Sequence, residues 1–430
     1  MKISEFLNSL KNGKYDKAFC ELYGKEAIDN QKCRYESAVE KFAQFYPQSD
    51  EIHIFSAPGR TEIGGNHTDH QHGCVLAAAV DVDVIGIASF NDSGVIHVLS
   101  EGYKEITINC NSLEKNDNDV GSDALIRGIA AQFAKRGVET KGFDMYCTSN
   151  VLSGSGVSSS AAFETLIGTL IDIYYNAGRE GAVEIAKIGQ YAEDVYFGKK
   201  CGLMDQLVSS VGGFVFVDFK NPQMPIIENC SVDFEDLGYK LFITNTKGSH
   251  AGLTDDYVAV RNEMNSVASA FGKETLRMVD SEEFWSNIPK LREKCTDRAL
   301  LRAMHFMDEN LRPEAEFEAL KKGDIDGFLK TVRESGKSSE MLLQNIYSTK
   351  KPQEQAITLG LAMSRRVLGN EGADRVHGGG FAGTIQAFVP SSKAQEYKAV
   401  MDGIFGEGSC CLMKIRPVGG IDFIAFAQEI

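Results

Sequence analysis

Three stretches of this 430-residue chain crowd reactive side chains together. The first, GRTEIGGNHTDH from Gly59 to His70, carries Arg60, Glu62, Asn66, His67, Asp69 and His70 just ahead of the apolar run VLAAAVDVDVIGIASF. Taken alone, that mixture suits a solvated surface loop as well as a polar site. The second, SNVLSGSGVSSSAAFE, sets Gly154 and Gly156 among Ser155, Ser158, Ser159 and Ser160. Its glycines permit a tight turn with close backbone approach, and the helix that follows offers free N–H groups and a positive dipole end, which together suit a phosphate. The plainer reading is a serine helix cap, but a cap needs one serine and this loop has several. The third, GQYAEDVYFGKKCGLMDQLVSS, holds Glu193 on a helical stretch and Asp205 at the start of the next one. Singly, each acid reads as a helix-end carboxylate. With the serine loop and Arg60 they make up what phosphoryl transfer requires: backbone donors, a carboxylate and hydroxyl for a divalent cation, a proton acceptor and a positive charge.

The periodicity of the surrounding sequence indicates what positions these groups. Residues 1–48 read as a helical extension, with Val39, Phe42, Phe45 and Tyr46 at helical spacing in AVEKFAQFY. Residues 49–235 read as a first α/β domain. Alternating strands lead to the helix ALIRGIAAQFAKRG, the strand FDMYCTSNV, and a long helix opened by the serines, in the order strand, loop, helix. Residues 236–430 read as a second α+β domain, with KLFITNTK, GTIQAFVP and DFIAFAQ as strands around charged amphipathic helices.

A net charge of -15, with no long Lys/Arg run, excludes a nucleic-acid or anionic-membrane surface. The apolar run is broken by Asp81 and Asp83, so no membrane span is expected. A polar N-terminus predicts a cytoplasmic protein, in which the formal glycosylation sequon at Asn66 has no use. Ten scattered cysteines support neither a zinc ribbon nor a disulfide framework. SGKSS at 335–339 lacks the glycine a P-loop needs, since position 331 is threonine, and GGGFAG at 378–383 follows a helix where a dinucleotide fingerprint follows a strand.

APGRTEIGGNHTDHQHG, GSGVSSSAA and HGGGFAGTIQAFV, in that order, resemble the three motifs of the GHMP kinases, and the first motif with CGLMDQ resembles the galactokinase branch. The likeness runs from Ile54 to near the C-terminus. It implies an S5-like N-terminal domain, a ferredoxin-like C-terminal domain and a site between them. It also implies ATP-dependent phosphorylation, with Mg²⁺, of the anomeric hydroxyl of galactose. By the same likeness, Gly154, Ser155, Gly156, Val157, Ser158, Ser159 and Ser160 resemble the ATP phosphate loop. Ser160 and Glu193 match the Mg²⁺ ligands, with Ser159 a close rival, and Asp205 and Arg60 match the catalytic pair. Asn66, His67, Asp69, Gly202 and Tyr257 fall where the family holds the sugar.

The first motif departs from the family's usual G-R-x-N-x-I-G-E-H-T-D-Y. Glu62 stands for Asn, Gly64 for Ile, Asn66 for Glu and His70 for Tyr. The position of Asn66 faces C6 of the sugar in the family. A neutral amide there is expected to relax discrimination at C6, because it imposes no repulsion on a C6 carboxylate. Galacturonate or another C6-modified sugar is therefore the alternative substrate, although no new Lys or Arg appears in the motif to pair a carboxylate. A non-catalytic sugar sensor is the alternative of another class, and it has no need of metal ligands, acid and arginine together. The oligomeric state has no sequence signature.

Overall fold

The computed structural model describes residues 1–116, 118–151 and 156–430. It is an α+β fold built on two sheets. In the first, the strand His53–Gly64 pairs antiparallel with the long strand Cys74–Phe90, which in turn pairs with Phe143–Ser149 on one side and Phe214–Asp218 on the other. Alternation along these strands separates two faces. Phe55, Ala88 and Met145 face the helices Ser122–Lys135 and Ser159–Asn176, while Ile54, Ile85 and Ile87 face the other way.

That other face is covered by the first 48 residues. The helices Ile3–Lys11, Asp16–Tyr23 and Ile28–Phe45 bury Phe6, Phe19, Leu22, Tyr35 and Phe42 against it. Each such side chain withdrawn from water contributes about 1.5–3 kcal/mol, so the extension is a structural layer of the first unit.

The chain passes to the second sheet between Cys230 and Tyr239. This sheet is antiparallel throughout, in the order Cys410–Met413, Tyr239–Asn245, Thr384–Pro390, Ala373–Val376. The helices Ala356–Leu368 and Ala394–Phe405 cover one face, and Phe317 and Phe328 pack on the other together with Phe214 and Phe216 of the first sheet. The two units therefore share one core.

DFIAFAQ, expected as a strand, is a helix from Phe423 to Glu429. Asp422 caps it by accepting from the Ile424 and Ala425 amides, and only Ile421–Asp422 pair with Phe55 and Ser56. The C-terminus thus returns to the first sheet, and Phe423 fills the core beneath the N-terminal helices. Among the described residues no helix is long and apolar enough to cross a membrane.

Candidate active site

The strand His53–Gly64 carries the first motif, and its register shifts at Gly59 and again at Ile63. Such irregularities re-aim side chains and occur beside active sites. Gly59 has no room for a side chain: a Cβ there would lie 2.6 Å from the Val157 carbonyl, which also accepts from the Arg60 amide at 3.0 Å. The strand therefore docks its backbone directly on the serine loop. Gly59→Ala is expected to displace that loop, at a cost of about 1–3 kcal/mol from overpacking. The KM for ATP should rise roughly five- to hundredfold with a smaller change for the sugar. Equal effects on both would show that the strand, and not the loop, had moved.

Arg60 reaches from this strand to Asp205. Its Nε and Nη2 donate to the two carboxylate oxygens at 2.6 Å each, and its Nη1 donates to the Gly156 carbonyl. Asp205 lies in the first turn of the helix Met204–Val211. Ser158, held at a left-handed φ of 56°, donates from Oγ to Asp205 at 2.7 Å. Burial alone would raise the Asp205 carboxyl, but the Arg60 guanidinium, the Ser158 hydroxyl and Lys199 hold it below its ordinary value. It is a carboxylate throughout the neutral range.

Ser159 and Ser160 open the helix Ser159–Asn176, both half-buried, beside Gly156 and Val157. Gly154 and Ser155 lie outside the described residues. Glu193 sits in a π-helical turn, Ala192–Phe197, and is buried. One of its oxygens accepts from Lys199 at 2.8 Å and the other from Gln206 at 3.0 Å. Gln206 follows Asp205, and the same amide nitrogen also donates to Glu164 at 3.0 Å.

Glu164 was not singled out from the sequence, although its place one turn after Ser160 puts both on one helix face. It is fully buried, its second oxygen has no partner among the described residues, and burial followed by the charge of Glu193 pushes it up to about 8. Through Gln206 the fold thus sets two buried carboxyls, Glu164 and Glu193, side by side.

On the other side of Asp205, Asp69 begins the short turn Asp69–Gln71. Gly202 lies against it, since a Cβ on Gly202 would fall 2.9 Å from the Asp69 carboxylate. Among the described residues nothing donates to that carboxylate, which leaves it free for hydroxyl groups. His67, at φ 60°, donates from Nε2 to the Gly379 carbonyl at 2.9 Å. The Tyr257 hydroxyl donates to the Gly380 carbonyl at 2.9 Å and accepts from His250 at 2.8 Å.

The fold therefore brings Arg60, Ser158, Asp205, Glu193, Asp69, Gly202, His67 and Tyr257 around one region. His250 and His377 were also missed. His377, just before the third glycine motif, accepts through Nε2 from the Thr61 hydroxyl and the Glu62 amide, so its Nδ1–H donates to Thr384. Burial, then the charges of Arg60 and Arg375, pushes it down to about 3, so it stays neutral.

Asn66 does not fit the expected role. It is entirely buried, and its amide is used up by protein partners, so it presents no group to a C6 substituent. The departures at Glu62 and Gly64 are explained by the same neighbourhood. Glu62 is buried against the fully buried Arg375, 2.9 Å away, and burial outweighs that partner in raising its carboxyl. Gly64 leaves the space that the carboxyl of Glu316 fills, where any Cβ would overlap it.

Comparison with known proteins identifies the family. The galactokinase galactose-binding signature matches residues 40–90, and the GHMP kinases N terminal domain matches residues 124–213. A galactokinase from Actinobacillus pleuropneumoniae serotype 5b (strain L20) is 30% identical over 372 residues, which cover 85% of this chain and 92% of that protein. Among solved structures, the galactokinase of Lactococcus lactis complexed with galactose aligns with a TM-score of 0.77 at 21% identity, over 90% of this chain and 100% of that one. The mevalonate kinase of Methanococcus jannaschii aligns at 0.58 and 16% identity, over 85% and 98%. With its galactose-binding signature, its kinase domain and a relative matched over most of both lengths, the chain belongs to the galactokinase family of the GHMP kinases.

Proposed function

We propose that this chain transfers the γ-phosphoryl group of ATP to the C1 hydroxyl of galactose, in the cytoplasm and with Mg²⁺. The observation that carries the reading is the Arg60–Asp205 pair, seated between the serine loop and the free carboxylate of Asp69. Support for the substrate comes from the galactokinase relative and from the galactose-bound Lactococcus lactis galactokinase, whose fold this chain shares.

In this reading Gly156 to Ser160 and the N-terminus of their helix cradle the ATP phosphates. Asp69 accepts from adjacent sugar hydroxyls, which fixes the ring in one orientation, and His67, Gly202 and Tyr257 close around it. The C1 hydroxyl is thereby directed at Asp205. An aspartate with a depressed pKa is a weak proton acceptor, so its main work is to orient the hydroxyl and take its proton late, as a loose phosphoryl-transfer transition state allows. Arg60, already fixed by two bonds to Asp205, offsets charge on the transferred group without reorganising. Ser160 or Ser159 with Glu193 would hold Mg²⁺, which supplies charge neutralisation on the phosphates. To accept that cation Glu193 must release Lys199, an exposed side chain that can turn to solvent.

The test is ATP consumption against a panel of hexoses and hexuronic acids with Mg²⁺ present, followed by phosphorus NMR of the product. Galactose should be turned over and give the α-1-phosphate. A protein that bound galactose while leaving ATP untouched across the whole panel would be a sensor instead.

A further inference from the structure

The family's usual first motif carries Asn and Glu four residues apart, and here the two have changed places, as Glu62 and Asn66. They bond to each other: Asn66 Nδ2 donates to Glu62 Oε1 at 2.9 Å. The second Nδ2 hydrogen goes to the Gly378 carbonyl at 2.7 Å. Asn66 Oδ1 accepts from Asn345 at 2.8 Å and from Ser339 at 3.2 Å. All four positions of the amide are thus filled, and the partners fix its orientation, because turning it over would set oxygen against the acceptors Glu62 and Gly378 and nitrogen against the Asn345 amide donor. The backbone is pinned as well: Glu309 accepts from the Gly65 and Asn66 amides, and His305 donates to the Asn66 carbonyl at 2.9 Å.

The glycine turn held by this amide is the element that orients the sugar side. Gly378 and Gly380 have φ of 65° and 77°, and the carbonyls of Gly379 and Gly380 fix His67 and Tyr257. Asn345 bonds both Asn66 and the Gly379 carbonyl, at 3.2 Å in the latter case. We infer that Glu62 and Asn66 form a latch between the first motif and the Gly378–Gly380 turn, in which Asn66 positions His67 and Tyr257 and does not itself touch the sugar. The latch rests on the sugar-kinase reading above for the identity of the substrate. A glutamate at 66 would therefore weaken the site: its carboxylate would place acceptors against Glu62 and the Gly378 carbonyl, where two donors are needed.

The experiment compares galactose with 6-deoxygalactose in the wild type, Asn66→Asp, Asn345→Ala and the exchanged double variant Glu62→Asn/Asn66→Glu, with thermal melting to confirm folding. Asn66→Asp loses two donated hydrogen bonds, one of them charged, so KM should rise about tenfold or more. The rise should be the same for both sugars, kcat should change far less, and the KM for ATP should stay put. Asn345→Ala should show the same pattern more weakly, and it carries the test if Asn66→Asp does not fold. The exchanged variant should not recover wild-type KM, since the pair is restored but the donor to Gly378 is lost.

A change in the ratio of kcat/KM between the two sugars, in either single variant, would mean that Asn66 does face C6 and would overturn the latch. So would full recovery by the exchanged variant. Calorimetric affinity for the same sugars gives the same comparison without turnover, so an inactive wild type would defeat the kinase reading while leaving the latch to be judged by binding.

Discussion

Asp205→Asn is expected to lower turnover by about 10²–10⁴-fold while equilibrium ATP binding stays near wild type. The asparagine keeps an oxygen for the Ser158 hydroxyl but loses both the proton acceptor and the charge that meets Arg60. The phosphate loop consists of backbone and serines, so it does not depend on that charge. A second measurement separates orientation from ordinary base catalysis. Asp205 lies below its usual value of 3.8, so it remains ionised as pH falls well below neutrality. Burial pushes His377 to about 3 and His70 and His305 to about 4, leaving these three neutral. The wild-type kcat at saturating substrates should therefore show no acid limb from Asp205, His70, His305 or His377 between about pH 5 and 8. Near-normal turnover in Asp205→Asn would remove Asp205 from the chemistry, and a limb near pH 6 that the substitution abolished would mean that its pKa is not depressed.

What the sequence disclosed was whatever is encoded locally. The glycines and serines of the phosphate loop, Asp205 in the first turn of a helix and Asp69 beside His67 were readable because their functions need a residue type at a fixed offset from a turn. The burial of Asn66 was not readable in that way. It depends on His305, Ser339 and Asn345, each more than two hundred residues away along the chain, and no spacing within the first motif distinguishes an amide facing a ligand from one facing a helix. Glu164 was passed over for a similar reason: on sequence it is one polar residue on a long helix, and only Gln206 and Glu193 make its buried oxygen notable. The strand expected at 422–428 failed on period, since so short a largely apolar stretch fits either element until its cap, here Asp422, is recognised.

Asp83 was visible only as an interruption of an apolar run, and the fold gives its carboxylate partners from three parts of the chain. It is fully buried and accepts from Arg34 at 2.6 Å, Arg416 at 3.0 Å, Tyr23 at 2.6 Å and the Ser56 hydroxyl. These partners come from the N-terminal helices, the first strand and the C-terminal return, so a single side chain joins the covering layer to the sheet at both ends of the chain. Its backbone also exchanges hydrogen bonds with Asn150, at 2.6 and 3.1 Å, where the chain enters the phosphate loop. Asp83→Ala strands the buried Arg416 guanidinium and the half-buried Arg34, and breaking such a pair typically costs about 3–5 kcal/mol, against a total stability of roughly 5–15. Arg34→Ala should cost less, because Arg416 still neutralises the carboxylate and Arg34 lies nearer solvent. Although burial raises the Asp83 carboxyl, Arg34 and Arg416 with Ser56 and Tyr23 leave it below its ordinary 3.8, so its contribution is complete above that value and is lost as pH falls through the folded one. Urea midpoints at neutral pH should therefore fall in the order wild type, Arg34→Ala, Asp83→Ala, and the gap between wild type and Asp83→Ala should narrow in acid. An Arg34 variant less stable than the Asp83 variant would mean that the layer is held by its apolar contacts and that the aspartate only accompanies them.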